Sequence, residues 1–242
     1  MRVTLIGQTT FDAPDHIPWL PDETATQDGA EALSEFAGRA CYQAWERPNP
    51  KTAHNVDYLA NILKQGHESV LEHGSVSFYI EGVSRSLTHE LIRHRHLSFS
   101  ELSQRYVNVE EAPAVMPPNA ADLGLYAYVE DEQQDAVYRY NELYEQLYDN
   151  LPGNLSARDR RKQAREAARA VLPNSVETKA VVTGNHRAWR HVLLLRGSLA
   201  ADAEIRKLAL RLYRILSGLA PGIYQDIRKE ITPHGIHYLE KV

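Results

Sequence analysis

Apolar positions along the chain follow two rhythms, and the switches between them outline the elements. Residues 2–7 are β-branched and end in Gly7, which predicts a first strand. Residues 12–28 are rich in Pro, Asp and Thr and read as loop. Leu33, Phe36 and Ala40 at helical spacing predict a helix over 29–42. Val56, Leu59, Ile62 and Leu63 predict a second over 55–65, ended by Gly66. Residues 67–74 are polar and turn-like, after which Val76, Phe78 and Ile80 alternate with polar residues as in a half-buried strand. The period changes again at Ser84: Leu87 and Leu91 stand four apart, which predicts a helix over 84–94. Residues 105–109 look extended, and the prolines within 112–119 predict loop.

The strongest helical signal is Val137, Tyr140, Tyr144, Leu147 and Leu151, stopped by Pro152 and Gly153. Another helix is predicted over 157–170, with Ser156 as its cap and Asp159 three residues on. Residues 177–183 read as a strand that turns at Gly184 and Asn185 into a helix running through Arg196. Ile205, Leu208, Leu212, Ile215 and Leu219 carry a last long helix over 202–219, and residues 221–242 show no clear rhythm. The sum is an α+β fold, helix-rich, read as one domain over 1–242 around a small mixed or antiparallel sheet.

Composition narrows the function. A formal net charge of −5 argues against a general nucleic-acid binder, so any affinity for anions must be local. One cysteine, Cys41, leaves no internal disulfide and no thiolate cluster, which suits the cytoplasm. Its place among Phe36 and Tyr42 predicts a small core residue. Residues 1–30 lack the pattern of a signal peptide, and no long apolar run predicts a membrane span.

The familiar nucleotide loops are missing: the chain has no Gly-x-Gly and no phosphate loop. His89-Glu90 and His67-Glu68 look like the start of a zinc-protease helix, but the next histidines, His94 and His73, fall on other helical faces. Arg158, Arg161, Arg165 and Arg169 share one face of the 157–170 helix and read, taken alone, as a solvated stripe. Residues 93–106 are different. Arg93, Arg95 and Arg105, His94 and His96, Glu101 and the serines at 98, 100 and 103 crowd into one stretch. Either the arginines pair with Glu90, Glu101, Glu110 and Glu111, or the stretch holds an anion; the density of cations favours the second.

Arg93-His94-Arg95, seven residues, then Ser103 resembles the signature of the flavin-dependent thymidylate synthases. The fuller form, RHR-x2-S-x-(N/S)-E-x-S-x-R-Y, fits 93–106. Residues 67–73 resemble the same family's H-E-(S/T)-x-x-E-H segment, and Asn185-His186-Arg187 with Arg196 resemble its flavin-contacting helix, so the likeness covers roughly residues 30 to 230. The resemblance implies that family's fold and the reductive methylation of dUMP to dTMP. The carbon would come from 5,10-methylenetetrahydrofolate and the hydride from FADH2 recharged by NADPH. It further implies a homotetramer with sites at subunit interfaces and neither nucleic acid, membrane nor metal as partner.

Carried onto these residues, the resemblance gives the catalytic role to Arg196, polarising the uracil ring where a cysteine would otherwise attack. It gives dUMP to Glu90, Arg93, Glu101, Ser103, Gln104, Arg105, Arg169 and Arg196, with Arg85 and Lys162 as weaker candidates. It gives FAD to Ser69, Glu72, Arg93, His94, Arg95, His96, Glu101, Asn185, Arg187 and His191. One departure stands out: Ala200 replaces a histidine that many members carry four residues after the arginine. A flavin or nucleotide sensor without turnover is therefore a second reading, and a metal-dependent phosphohydrolase a third.

Overall fold

The computed structural model describes residues 1–22, 24–25, 29–109 and 112–242. Of the expected 12–28 loop, residues 23 and 26–28 lie outside the described residues, as do Glu110 and Glu111, named above only in the alternative pairing of the arginines. The fold is α+β and helix-rich. Strands β1 (Arg2–Gln8), β2 (Ser75–Ser84), β3 (Leu97–Glu101) and β4 (Glu177–Asn185) form a sheet in the order β1-β2-β4-β3. Contacts along the pairs give the directions: Gly7 lies against Ser77 and Gly82 against Met1, so β1 and β2 are antiparallel. Ser77 bonds Thr183 and Gly82 bonds Glu177, so β2 and β4 are antiparallel too.

The described residues divide into two compact units, and the chain changes unit within each of the four strands and again after Leu91. Unit 1 comprises Met1–Arg2, Ile80–Leu91 and Ser100–Ala180. It holds α3 (Arg85–Leu91), the short α4 (Pro118–Asp122), the long α5 (Tyr126–Asn150) and α6 (Ala157–Ala168), which lies against α5. Ser156 caps α6 by accepting the Asp159 N–H at 3.1 Å, as its sequence predicts. The α5 rhythm buries Tyr140 against Val109 and Ala168.

Unit 2 comprises Val3–Tyr79, Ile92–Phe99 and Val181–Val242. It holds α1 (Ala30–Tyr42), α2 (Asn55–Gln65), α7 (His186–Arg196), α8 (Ala203–Leu219) and the short α9 (Pro221–Tyr224). Strands β5 (Ile227–Ile231) and β6 (His237–Lys241) make an antiparallel hairpin in the segment without a clear rhythm. Gly66 ends α2 at φ 69°, a left-handed conformation that glycine adopts without a Cβ clash. No helix among the described residues is long and apolar enough to cross a membrane.

Several sequence expectations need correction. Helix α3 stops at Leu91, because residues 92–96 turn to feed β3, a strand the sequence reading missed. Residues 105–109 form turn and coil, and the proline-rich segment enters α4 at Pro118, where a proline at the first helical position lacks only an N–H that would go unused. Cys41 is exposed at the end of α1. Helix α1 itself buries the polar face, with Glu31, Ser34, Glu35 and Arg39 inside and Leu33 and Phe36 only half-buried. Glu35 holds Arg39 at 2.6 Å and the Asn55 amide at 2.8 Å, and Glu31 accepts the Gly222 N–H. Buried charges persist when each meets partners in this way. Phe36 instead joins Phe11, Trp19 and Trp45 in an aromatic cluster with centroids 5.0 to 5.5 Å from its own.

Candidate active site

In unit 2 two neighbouring cavities share His96, Ala188 and His191. The first, about 540 Å³, is lined by Glu68, Glu72, Asn185, Arg187, Arg190 and Leu194 besides the shared residues. The second, about 470 Å³, adds Arg93, His94, Arg95, Leu97, Leu195 and Arg196. Two local structures supply these side chains. The turn between Leu91 and Leu97 presents Arg93, Arg95 and His96 outward, while His94 is 8% exposed and its carbonyl accepts the Leu97 N–H. Helix α7 presents Arg187, His191 and Leu194 or Leu195 at spacings of four and three to four, on one face. His186, Trp189, Arg190 and Leu193 are buried.

Helix α7 starts where it does because the side-chain oxygen of Asn185, Oδ1, accepts the Ala188 N–H at 2.8 Å. That oxygen is committed to the cap, which leaves the side-chain amide N–H groups as the part of Asn185 that can serve a ligand. Trp189 fixes the helix to the sheet by donating to the Val76 carbonyl at 3.1 Å. Arg187 pairs with Glu72 at the mouth of the first cavity, both side chains about half exposed, so this ion pair adds little stability and is easily exchanged for a ligand. Arg190 lies beneath, donating to both carboxylate oxygens of Asp226 at 2.6 and 2.8 Å, with Glu68 at 3.5 Å. Burial opposes its charge, but the Asp226 hydrogen bonds and charge outweigh that and raise its pKa.

In the second cavity the Arg196 Nε–H donates to His94 Nε2 at 3.0 Å. The His191 ring meets the His94 ring edge-on, centroids 5.5 Å apart. Burial, then the Arg196 charge, then His191 lower the His94 pKa to about 4, so its imidazole is neutral at physiological pH. No ion pair among the described residues engages Arg93 or Arg95.

Unit 1 carries the other expected residues. Glu101, at the end of β3, accepts the Thr88 and Thr178 hydroxyls on one carboxylate oxygen at 3.0 Å each, with Arg85 at 3.3 Å. The turn after it is closed by the Tyr106 and Val107 N–H groups donating to the Ser103 carbonyl, and it buries Gln104. Helix α6 grips this turn. Arg165 donates to the Tyr106 carbonyl at 2.7 Å, and Arg105 lies 3.7 Å from Glu166. The Tyr106 phenol pKa is lowered, first by its hydrogen bond from Arg105 and then by the Lys162 charge. The arginine stripe thus divides its labour: Arg165 latches the turn, and Arg169 is left half-buried at the end of α6. Of the residues in the alternative pairing reading of 93–106, Arg105 pairs with Glu166 and Glu101 with Arg85.

The geometry therefore places Glu72, Arg93, His94, Arg95, His96, Asn185, Arg187, His191 and Arg196 on two cavities of unit 2. Ser69 is exposed and lines neither. Glu90, Glu101, Ser103, Gln104, Arg105 and Arg169 belong to unit 1. Sequence reasoning missed Glu68 and Arg190 as cavity residues and Thr88 and Thr178 as partners of Glu101. Glu68 lies inside the 67–73 segment already singled out, but nothing in the chain announces the β3–β4 pairing that brings Thr178 to Glu101. Ala200 is exposed just beyond α7 and also lines neither cavity.

Cationic heads beside apolar patches from Ala188, Leu194 and Leu195 suit a ligand with a charged diphosphate and a flat ring. A profile of the family described as thymidylate synthase complementing protein matches residues 23–222, and the chain belongs to that family. Among its relatives is a protein named flavin-dependent thymidylate synthase from Mycobacterium tuberculosis (strain ATCC 25618 / H37Rv), 53% identical over 233 residues, or 96% of this chain and 91% of that one. A protein of the same name from Mycolicibacterium vanbaalenii is 51% identical over 239 residues, covering 97% and 93%. The resemblance drawn from residues 93–106 is borne out at the level of the family.

Proposed function

We propose that the chain is a flavin-dependent thymidylate synthase, a methyltransferase that converts dUMP to dTMP. The observation that carries this reading is the pairing of the 93–96 turn with α7 around the same two cavities, in a chain 53% identical to an enzyme of that name. The residues on the two cavities fit FAD: Arg93, Arg95 and Arg187 would meet its diphosphate and His96, His191 and the Asn185 amide its polar edges, with Glu72 beside them; Ser69 and Glu101, which the family resemblance also gives to FAD, line neither cavity. Bound there, FADH2 supplies the hydride, with NADPH as its reductant and 5,10-methylenetetrahydrofolate as carbon donor.

The uracil must be made nucleophilic at C5. Cys41, exposed on α1, lines neither cavity, so we assign activation to the charge of Arg196 beside the base. Glu90, Arg93, Glu101, Ser103, Gln104, Arg105 and Arg169 would hold the rest of dUMP, with Arg105 and Arg169 on its phosphate. In this proposal residues 1–242 act as one domain, the enzyme works in the cytoplasm, and it assembles as a homotetramer in which different subunits supply Arg169 and Arg196 to one site.

The test begins with the absorbance spectrum of the purified protein, with and without dUMP. A flavin spectrum that dUMP perturbs is expected, together with tritium release from dUMP labelled at C5 when NADPH and methylenetetrahydrofolate are added. A bound flavin without release would turn the reading toward a sensor. Bound metal and no flavin would turn it toward a phosphohydrolase.

A further inference from the structure

Arg196 is the last residue of α7, and an arginine there has a long, freely rotating side chain. Its guanidinium can polarise a base only if held in one plane. One of the contacts that hold it is a hydrogen bond in which Nε donates to His94 Nε2 at 3.0 Å. A guanidinium has no acceptor and keeps its proton at every relevant pH, so the imidazole must accept. His94 therefore carries its own proton on Nδ1 and must be neutral.

The surroundings enforce that state. His94 is 8% exposed and lines this cavity with Leu97, Ala188 and Leu195; Arg196 and His191 meet its ring from α7, and Arg93, Arg95 and His96 lie beside it on its own turn. Every ionisable neighbour on this cavity is a cation or a histidine. A second proton on His94 would put a charge among them, in keeping with its lowered pKa.

The choice of residue is informative. A carboxylate at position 94 would grip Arg196 as firmly, but it would cancel the positive charge that the reaction uses. A neutral acceptor fixes the geometry and leaves the charge intact. We propose that His94 is a positioning residue for Arg196, acting as an uncharged anchor in place of the direct flavin contact implied by the family resemblance. This rests on the role given to Arg196 above.

Three substitutions separate the parts of the argument: His94→Gln keeps a neutral acceptor, His94→Glu makes the acceptor charged, and His94→Leu removes it. With FAD content matched, His94→Gln should hold kcat within about threefold of wild type, while His94→Leu and His94→Glu should each lose roughly tenfold or more, the scale of small misplacements at a reacting centre. KM for dUMP should move less than kcat. The NMR signal of the Arg196 Nε–H, identified by its loss in Arg196→Lys, should stay protected from exchange in wild type, His94→Gln and His94→Glu and lose protection in His94→Leu.

Near-wild-type kcat in His94→Leu would overturn the proposal. So would His94→Gln as slow as His94→Glu, or FAD lost from His94→Gln as from His94→Leu, since His94 would then be holding flavin. If His94→Leu fails to fold, the contrast between Gln and Glu still decides. If wild type itself shows no turnover, the functional reading fails, while the Nε–H signal still reports on the anchor.

Discussion

Arg190 and Asp226 meet through two hydrogen bonds of 2.6 and 2.8 Å, with the arginine side chain 1% exposed. The pair anchors the underside of the first cavity to the segment between α9 and β5. Removing one partner strands the other's charge in the interior. Asp226→Ala should therefore cost about 3–5 kcal/mol of stability. Glu68 at 3.5 Å offers only part of the compensation. Urea unfolding at fixed protein concentration measures the loss, and a change below about 1 kcal/mol would show that Arg190 finds another partner or water.

His186 predicts an acid limb in stability. The residue is fully buried; its Nδ1 lies 2.9 Å from the Tyr224 hydroxyl, and its Nε2 has no partner. Burial lowers its pKa to about 4. The folded state thus refuses a proton that the unfolded state accepts near its ordinary value, and stability falls as pH drops from about 6.5 toward 4. The full effect of such a shift is on the order of 3 kcal/mol. His186→Gln should make this limb shallower, leaving the share that His94, lowered likewise, contributes, and an unchanged pH profile of the urea midpoint would refute the assignment.

Asn185 allows its two duties to be separated. Asn185→Asp retains an oxygen for the Ala188 N–H and should leave thermal stability within about 0.5 kcal/mol, whereas Asn185→Ala should lose about 1 kcal/mol with the cap. The aspartate also removes the amide donor and adds a negative charge to the cavity, so FAD affinity should fall in both variants. Retained affinity in Asn185→Asp would confine Asn185 to capping.

Arg196→Ala should reduce turnover by a hundredfold or more, the scale of losing one stabiliser of transition-state charge, while weakening FAD binding far less. Flavin titration and tritium release on the same preparation check the two arms. Near-normal release would remove Arg196 from the chemistry.

Mixing Arg169→Ala chains with Arg196→Ala chains tests the shared site. If the two residues reach one site from different subunits, verified mixed tetramers should recover part of the activity. Mixed tetramers as inactive as the parents would place both residues on the same chain at each site.

The long periodic stretches were legible in the chain because a single rhythm dominated them. Helix α2 matches its predicted bounds, and α5 contains its predicted apolar positions from Val137 to Leu147, starts earlier and ends just before Leu151. Helix α1 shows the limit of such reading. Its apolar spacing located the helix but not its buried face, because Glu31 and Glu35 find partners in Gly222, Asn55 and Arg39 that are distant or invisible in a local pattern. Cys41 was misplaced for the same reason, and β3 was hidden by the polar residues of the 93–106 stretch. Of the candidate site, the histidines and arginines were legible as a motif. Which of them touch each other was not, and the bond from Arg196 to His94 spans 102 positions.

The route of the chain through its two units sets an order of events during synthesis. Everything in unit 1 has been made once Ala180 emerges from the ribosome, but unit 2 still lacks Val181–Val242, and with it α7, α8 and the β5–β6 hairpin. The 93–96 turn is then already present without the helix that faces it across the cavities. A nascent chain must keep that cluster of cations exposed until its last quarter arrives, and any chain truncated before α7 carries the family's signature with no pocket to put it in.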